Sequence, residues 1–293
     1  MRLSPFNLNN DEDYLLWRDK KLRNYPEKVE ELLVEIDDPR NLKETESLAL
    51  IERCRKTNLA LYASNSGSDP DPEIPFSIGR HFGVSILNKN FLSEENSLTS
   101  LKCHEKGIKK KYIPYTNKTI NWHTDGYYNS PREQVQSMML HAVQGAAKGG
   151  VTGLMDHEIA YIKLRDKNPE HIRALMKYDV LTIPPRKGEQ DRILRRSEFG
   201  PVFSVTASGK LHMRFTIRKK NIIWKPDRQT SSAITALKQI LNEDSKYIFR
   251  IKLESGMGLV SNNILHNRSS FIDDSKHVRH FYRSRYFERI KGT

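Results

Sequence analysis

The sequence predicts a mainly β protein: a closed or double-sheet β core preceded by a helical N-terminal segment. Three observations carry this expectation. Helical periodicity dominates residues 1–57, short apolar or alternating segments recur from about residue 119, and few helices separate those segments. Taken in order, residues 27–36 follow Pro26 and place Val29, Leu32, Leu33 and Ile36 at spacings of three, one and three, which predicts a helix with one apolar face. Residues 42–55 behave likewise through Leu48, Leu50, Ile51 and Cys54, and Asp37-Asp-Pro-Arg40 between them reads as a turn. Residues 59–62 form a short apolar strand closed by the loop Ser64-Asn-Ser-Gly-Ser-Asp-Pro-Asp-Pro72, which is linker-like but too short to mark a domain boundary.

The second half reads as strands with interruptions. Residues 136–143 are apolar with few gaps, as in a buried strand; Gly149-Gly150 breaks the run and residues 151–155 resume it. A helix is expected over 158–165 and another after Asn168-Pro169. Residues 202–205 and 211–215 flank Ala207-Ser-Gly209 as a hairpin. Residues 232–241 carry Ala233, Ala236, Leu237, Ile240 and Leu241 at helical spacing. Residues 247–253 alternate at period two, and 258–260 and 281–287 complete the strand set. The expected organisation is a single domain over 1–293, with 1–57 as a mainly helical extension packed on a β core of residues 112–290.

Composition bounds the function class. With 37% hydrophobic and 29% charged residues over 293 positions, the chain can bury a globular core. Its two cysteines, Cys54 and Cys103, lie far apart in no metal-like spacing, so a disulfide framework is not expected and a reducing cytoplasm is. No apolar stretch approaches a membrane span, so no membrane partner is expected. The formal charge of +13 would attract nucleic acid, anionic lipid or acidic small molecules. Without a nucleic-acid-binding motif its ordinary reading is a solvated basic surface.

The chemistry concentrates in two segments. In Ile120-Asn-Trp-His-Thr-Asp-Gly-Tyr-Tyr128, an extended backbone turns His123 and Asp125 to the same side, and Gly126 lets the chain turn sharply after them. Far downstream, Ser261-Asn-Asn-Ile-Leu-His266-Asn-Arg-Ser-Ser-Phe271 offers a second imidazole. Two imidazoles and one carboxylate can occupy one face of an octahedral ion and leave three positions for other ligands, the facial arrangement of non-heme Fe(II) oxygenases. A His-x-Asp pair by itself is more often a surface pair or a hydrogen-bonded turn. His141, in an apolar strand, reads as a core histidine, and Asp156-His-Glu158 reads as the cap of a helix.

Four segments in order resemble the taurine dioxygenase-like family (the TauD/TfdA and clavaminate synthase-like group) of Fe(II)/2-oxoglutarate-dependent oxygenases. Tyr112-Ile-Pro-Tyr-Thr116 leading into Trp122–Tyr128 looks like the family's first metal motif, and Lys148-Gly-Gly-Val-Thr152 like its Gly-Gly-x-Thr segment. Asn262–Phe271 looks like the second metal motif, and Arg279-His-Phe-Tyr-Arg283 like the strand whose arginine grips 2-oxoglutarate. The resemblance implies a double-stranded β-helix, or jelly roll, with Fe(II) held by His123, Asp125 and His266, 2-oxoglutarate held by Thr152 and Arg283, and O2 as the other cosubstrate. Arg279 and Arg285 share the face of Arg283 at period two; the family spacing favours Arg283 and leaves the other two to surface ion pairs.

The implied reaction is hydroxylation of a C–H bond in a small charged molecule, with 2-oxoglutarate converted to succinate; desaturation and ring closure are possible on the same scaffold. Candidate substrate contacts are Trp122, Tyr127 and Tyr128 beside the metal motif, and Arg192, Arg195, Arg214 and Arg218 in and after the basic stretch Pro184–Arg196. The arginines would receive an anion, whereas the aromatics could cage a quaternary ammonium, so the sign of the substrate's charge stays open. The run Lys106-Gly-Ile-Lys-Lys-Lys111 keeps an RNA- or protein-modifying oxygenase as the alternative, and a non-catalytic metal-binding barrel is a third reading.

Overall fold

A computed structural model describes residues 4–188, 192–218 and 220–293. Residues 189–191 of the basic stretch lie outside the described residues. The chain is mainly β, with many short strands and six α-helices among the described residues. It folds as two compact units: Pro26–Asn121, Val135–Leu154 and Ile248–Thr293 form one, and Met1–Tyr25, Trp122–Gln134 and Met155–Tyr247 form the other.

The first unit is built on a six-stranded sheet in the order Leu33–Ile36, Leu59–Ser64, Met257–Ser261, Ser137–Gln144, His280–Tyr286 and Thr99–Leu101. The first pair is parallel and the others are antiparallel. Ser137–Gln144 is buried along nearly its whole length, as its unbroken apolar run predicts for a strand covered on both faces. Leu50 and Cys54 of helix Glu44–Thr57 and Ile74 and Ile78 of helix Glu73–His81 form one core with Tyr62, Met139, Val260 and Tyr286 of the sheet. The first of these helices ends at Asn58, whose φ of 60° is left-handed. In His280–Tyr286, Ser284 stands opposite Met139 and so faces the same way as that core. Arg283 and Arg285, opposite Leu140 and Met138, turn to the other face.

The helix expected over residues 27–36 is not formed. One 3-10 turn, Val29–Leu32, leads into strand Leu33–Ile36, paired in parallel with Leu59–Ser64. Leu32, Val34 and Ile36 are buried while Glu35 is exposed, so period two runs through Val34, which the helical set passed over, and pairing with a buried strand outweighs a short helical pattern. Helix Glu73–His81 went unpredicted, and helix Asp11–Leu22 lies in the region expected to be helical without having been placed.

The second unit packs helices His157–Lys167, Pro169–Leu175 and Arg228–Asn242 together. Each begins at a side chain that accepts from a backbone N–H of the first turn: Asp156, Asn168 and Asp227. Asp156 does more than cap. It and Glu158 bind the buried Lys21 ammonium at 2.7 and 2.5 Å, which ties helix Asp11–Leu22 to helix His157–Lys167. The hairpin of Phe203–Val205 with Leu211–Met213 forms as expected. A further hairpin, Arg186–Lys187 with Ile193–Arg195, carries the basic stretch. A four-stranded sheet, most of whose residues belong to the first unit, orders Phe249–Ile251, Thr152–Met155, Leu265–Arg268 and Ile120–His123.

Candidate metal centre

The backbone around the first motif is held extended from outside. Ile217 donates its N–H to the Trp122 carbonyl at 3.0 Å and Thr124 donates to the Phe215 carbonyl at 2.9 Å, with a bridge between His123 and Thr216. Extension sends Trp122 and Thr124 to one side and His123 and Asp125 to the other. Thr124 is fully buried and Trp122 is 6% exposed. Trp122 is therefore a packing residue behind the ligand pair, and its expected substrate contact is not supported. Gly126 then takes φ +67°, where a side chain would strain the backbone, and its carbonyl accepts from Asn129 to close the turn.

His266 sits on strand Leu265–Arg268, the neighbour of Ile120–His123 in the four-stranded sheet. Its Nδ1 lies 3.1 Å from the Ile264 carbonyl. A carbonyl can only accept, so Nδ1 carries the proton and Nε2 carries the lone pair. The His123 Nε2 and Asp125 Oδ1 atoms are 3.8 Å apart, too far for a hydrogen bond and close enough to share a cation. One ligand atom from each of His123, Asp125 and His266 lies within 4.8 Å of the others. Two imidazole nitrogens and one carboxylate oxygen, with no thiolate among them, fit a facial site for Fe(II). Neither Cys54, whose thiol donates to the Val260 carbonyl, nor the exposed Cys103 joins that group.

Thr152 opens its strand and is buried. Gly149 and Gly150 before it take φ +71° and +72°, and a Cβ on Gly149 would meet the Ser270 carbonyl oxygen at 2.3 Å. A Cβ on Gly150 would lie 3.9 Å from Arg279 Nε. The Gly-Gly turn thus brings its backbone up to Arg279, a contact the sequence reading missed. Arg279 is 4% exposed, and its guanidinium stacks on Phe281 at 3.8 Å. No carboxylate pairs with that guanidinium among the described residues. Burial, reinforced by the nearby Arg268 charge, lowers its pKa to about 9. Arg285 is likewise buried. Arg279, just before strand His280–Tyr286, and Arg285, on it, are thus buried where surface ion pairs were expected; Arg283 on that strand is half-buried.

Of the expected substrate residues, Tyr127 lies closest to the ligands, its ring edge-on to His123 with centroids 6.4 Å apart. Tyr128 packs edge-on against Tyr127 at 5.2 Å. Arg218 donates from Nη1 to the Tyr127 hydroxyl at 2.7 Å. Arg195 donates to the Pro184 carbonyl at 2.6 Å and more distantly to that of Tyr128, and burial lowers its pKa. Arg192 is exposed at the hairpin. Arg214 is a correction. It is 2% exposed, its guanidinium donates to the Leu181 and Glu198 carbonyls, and burial lowers its pKa to about 10. Two of its donors are thus taken by main-chain carbonyls of neighbouring strands, where an exposed anion receptor was expected.

Comparison with known proteins places this geometry. The model of the taurine catabolism dioxygenase TauD, TfdA family matches residues 29–285. A uridine-5'-phosphate dioxygenase of Amycolatopsis sp is 28% identical over 181 residues, covering 59% of this chain and 62% of its own length. A trimethyllysine dioxygenase of Meyerozyma guilliermondii is 24% identical over 173 residues, 56% of this chain and 42% of its own. The chain thus spans less than two thirds of either relative. Among solved structures, the non-heme iron oxygenase OrfP in complex with Fe and alpha-ketoglutaric acid superposes with a TM-score of 0.59 at 14% identity, over 85% of this chain and 81% of its own, a likeness of fold.

Proposed function

Because the chain belongs to the taurine catabolism dioxygenase TauD, TfdA family, we propose that it is an Fe(II)- and 2-oxoglutarate-dependent dioxygenase that hydroxylates a C–H bond of a small, polar, charged molecule. The observation that carries this reading is the convergence of His123, Asp125 and His266 ligand atoms within 4.8 Å. Bound there, Fe(II) with 2-oxoglutarate and O2 supplies the C–H oxidation, coupled to decarboxylation of the cosubstrate to succinate. The protein's part is to bind and orient. His123, Asp125 and His266 would hold the ion, and a set of only three protein donors would leave room for cosubstrate and O2. The Ile264 carbonyl holds His266 in the ligating tautomer. Buried Trp122 and Thr124 close the side behind the ligand pair and exclude water from it.

The distal carboxylate of 2-oxoglutarate requires a guanidinium in a dry pocket. Motif spacing selects Arg283, with a hydrogen bond from Thr152. Arg279 answers the chemistry better: it is buried, lies against the Gly-Gly turn just before Thr152, and has its charged form disfavoured by burial, which an anion would reverse. We assign the distal carboxylate to Thr152 and Arg279, with Arg283 as a second cation four residues along the strand. On this reading the β core is a double-stranded β-helix, the whole of 1–293 acts as one oxygenase domain, and the free thiols Cys54 and Cys103 suit a reducing cytoplasm.

The relatives' names carry opposite charges, a nucleotide phosphate and a trimethylated amino acid. Both support a small molecule over an RNA or protein surface. The test is reconstitution with Fe(II) under anaerobic conditions, followed by 2-oxoglutarate and O2. Slow succinate release is expected even without substrate, and it should vanish with a chelator and in His123→Ala. Absence of Fe(II)-dependent succinate in the wild type would sink the proposal.

A further inference from the structure

We propose that the substrate carries a phosphate monoester and that Arg218, held against Tyr127 beside the ligand His123, recognises it together with Arg195. The inference deepens the dioxygenase reading and rests on it for the location of the reacting end of the substrate.

Tyr127 separates the metal ligand from a cation. Its ring is edge-on to His123, and its hydroxyl accepts from Arg218 Nη1 at 2.7 Å. A guanidinium has five N–H donors. One is directed to Tyr127, Arg218 is otherwise exposed, and no carboxylate pairs with it among the described residues. Its remaining donors are therefore available to an incoming anion at the distance of one tyrosine from the metal ligand. The second cation is Arg195. Its bonds to the Pro184, Arg196 and Tyr128 carbonyls hold the guanidinium within electrostatic range of the same tyrosine pair, and those carbonyls carry no countercharge. Arg186 also lies within electrostatic range of Arg195, and the Glu198 carboxylate offsets part of its charge.

This arrangement decides between the two substrate charges left open by the sequence. An aromatic cage for a quaternary ammonium needs ring faces converging on the cation, with no competing positive charge. Here Tyr127 and Tyr128 meet edge to face, at 80°; Arg218 binds the Tyr127 hydroxyl and Arg195 the main-chain carbonyl of Tyr128. A cationic group placed among them would face like charges in a half-buried setting. A doubly charged tetrahedral oxyanion would meet the remaining fork-shaped donors of Arg218, with the Arg195 charge adding to the attraction.

Calorimetric titration of the metal-free protein in chelator separates this inference from the oxidation chemistry. The probes are uridine 5'-monophosphate, its neutral counterpart uridine, and trimethyllysine. The expected result is binding of the monophosphate at least tenfold tighter than either of the others. Arg218→Gln should weaken it tenfold or more with an unchanged melting temperature, Arg218→Lys should lose less, and Lys110→Gln, remote in sequence on a different basic run, should leave it unaltered. Equal affinity for uridine, tighter binding of trimethyllysine, no binding of the monophosphate, an unaffected Arg218→Gln, or an equal loss in Lys110→Gln would each overturn the inference. Selective phosphate binding without Fe(II)-dependent succinate release would instead fail the dioxygenase reading alone.

Discussion

An extended backbone turns every second side chain to one side, and that rule alone places His123 and Asp125 together. It also turns Trp122 and Thr124 away, so the tryptophan's neighbourhood in sequence is misleading about its neighbourhood in space. The arginines of the last strand show the same limit. Period two groups Arg279, Arg283 and Arg285, but it cannot say which of them is dry, because burial is set by packing outside the pattern: Phe271 nearby and the distant Gly149-Gly150 turn. Asp156 was legible as a cap and illegible as half of an ion pair with Lys21, 135 positions earlier by subtraction of the two residue numbers. The assignment of Arg279 predicts a difference between two substitutions. A charge-assisted bidentate contact contributes roughly 1.5–3 kcal/mol. Arg279→Gln should therefore raise the KM for 2-oxoglutarate about tenfold to a hundredfold, and Arg283→Gln by less. Steady-state kinetics on both variants, with melting temperatures as a check on folding, decide it; a larger effect at Arg283 would return the distal carboxylate to that residue.

Elements with a long, single-period pattern were readable. Helix Arg228–Asn242 buries Ala233, Ala236, Leu237, Ile240 and Leu241 as their spacing requires, and Ser137–Gln144 is the central buried strand its apolar run implies. Residues 27–36 were misread because Leu32 and Ile36 belong both to a helical set with Val29 and Leu33 and to a period-two set with Val34, and only the parallel partner Leu59–Ser64 chooses between them. The turn that presents Thr152 was readable as a break but not as a fitted joint. Gly149 pairs with Phe271, has φ +71°, and has the Ser270 carbonyl where a Cβ would stand. Gly149→Ala must shift the backbone of residues 270–271 as well as hold a left-handed alanine, a combined cost of roughly 2 kcal/mol or more. A lower denaturation midpoint together with weaker 2-oxoglutarate binding is expected; an alanine variant as stable as the wild type would show that the joint is not tight.

Over the whole molecule, composition was the least informative level. The charge of +13 does not converge on a single surface run: Lys109 of the basic run pairs with Glu94, while Arg214 and Arg279 lie buried. What the sequence could not supply was the closure of the fold, which brings His266 to a pair 141 positions before it, counting from Asp125. The resemblance of four short segments implies that these residues meet; the spacing of any one of them does not. Because the three ligands meet only in the folded chain, metal binding and folding are linked. The most direct test of the central claim is an anaerobic Fe(II) titration of the wild type and of His123→Ala, Asp125→Ala and His266→Ala. The account predicts one Fe(II) per folded wild-type chain and an affinity at least tenfold weaker in each of the three variants, while Arg279→Gln still binds one ion. Undiminished Fe(II) binding in any of the three alanine variants that remains folded would contradict it.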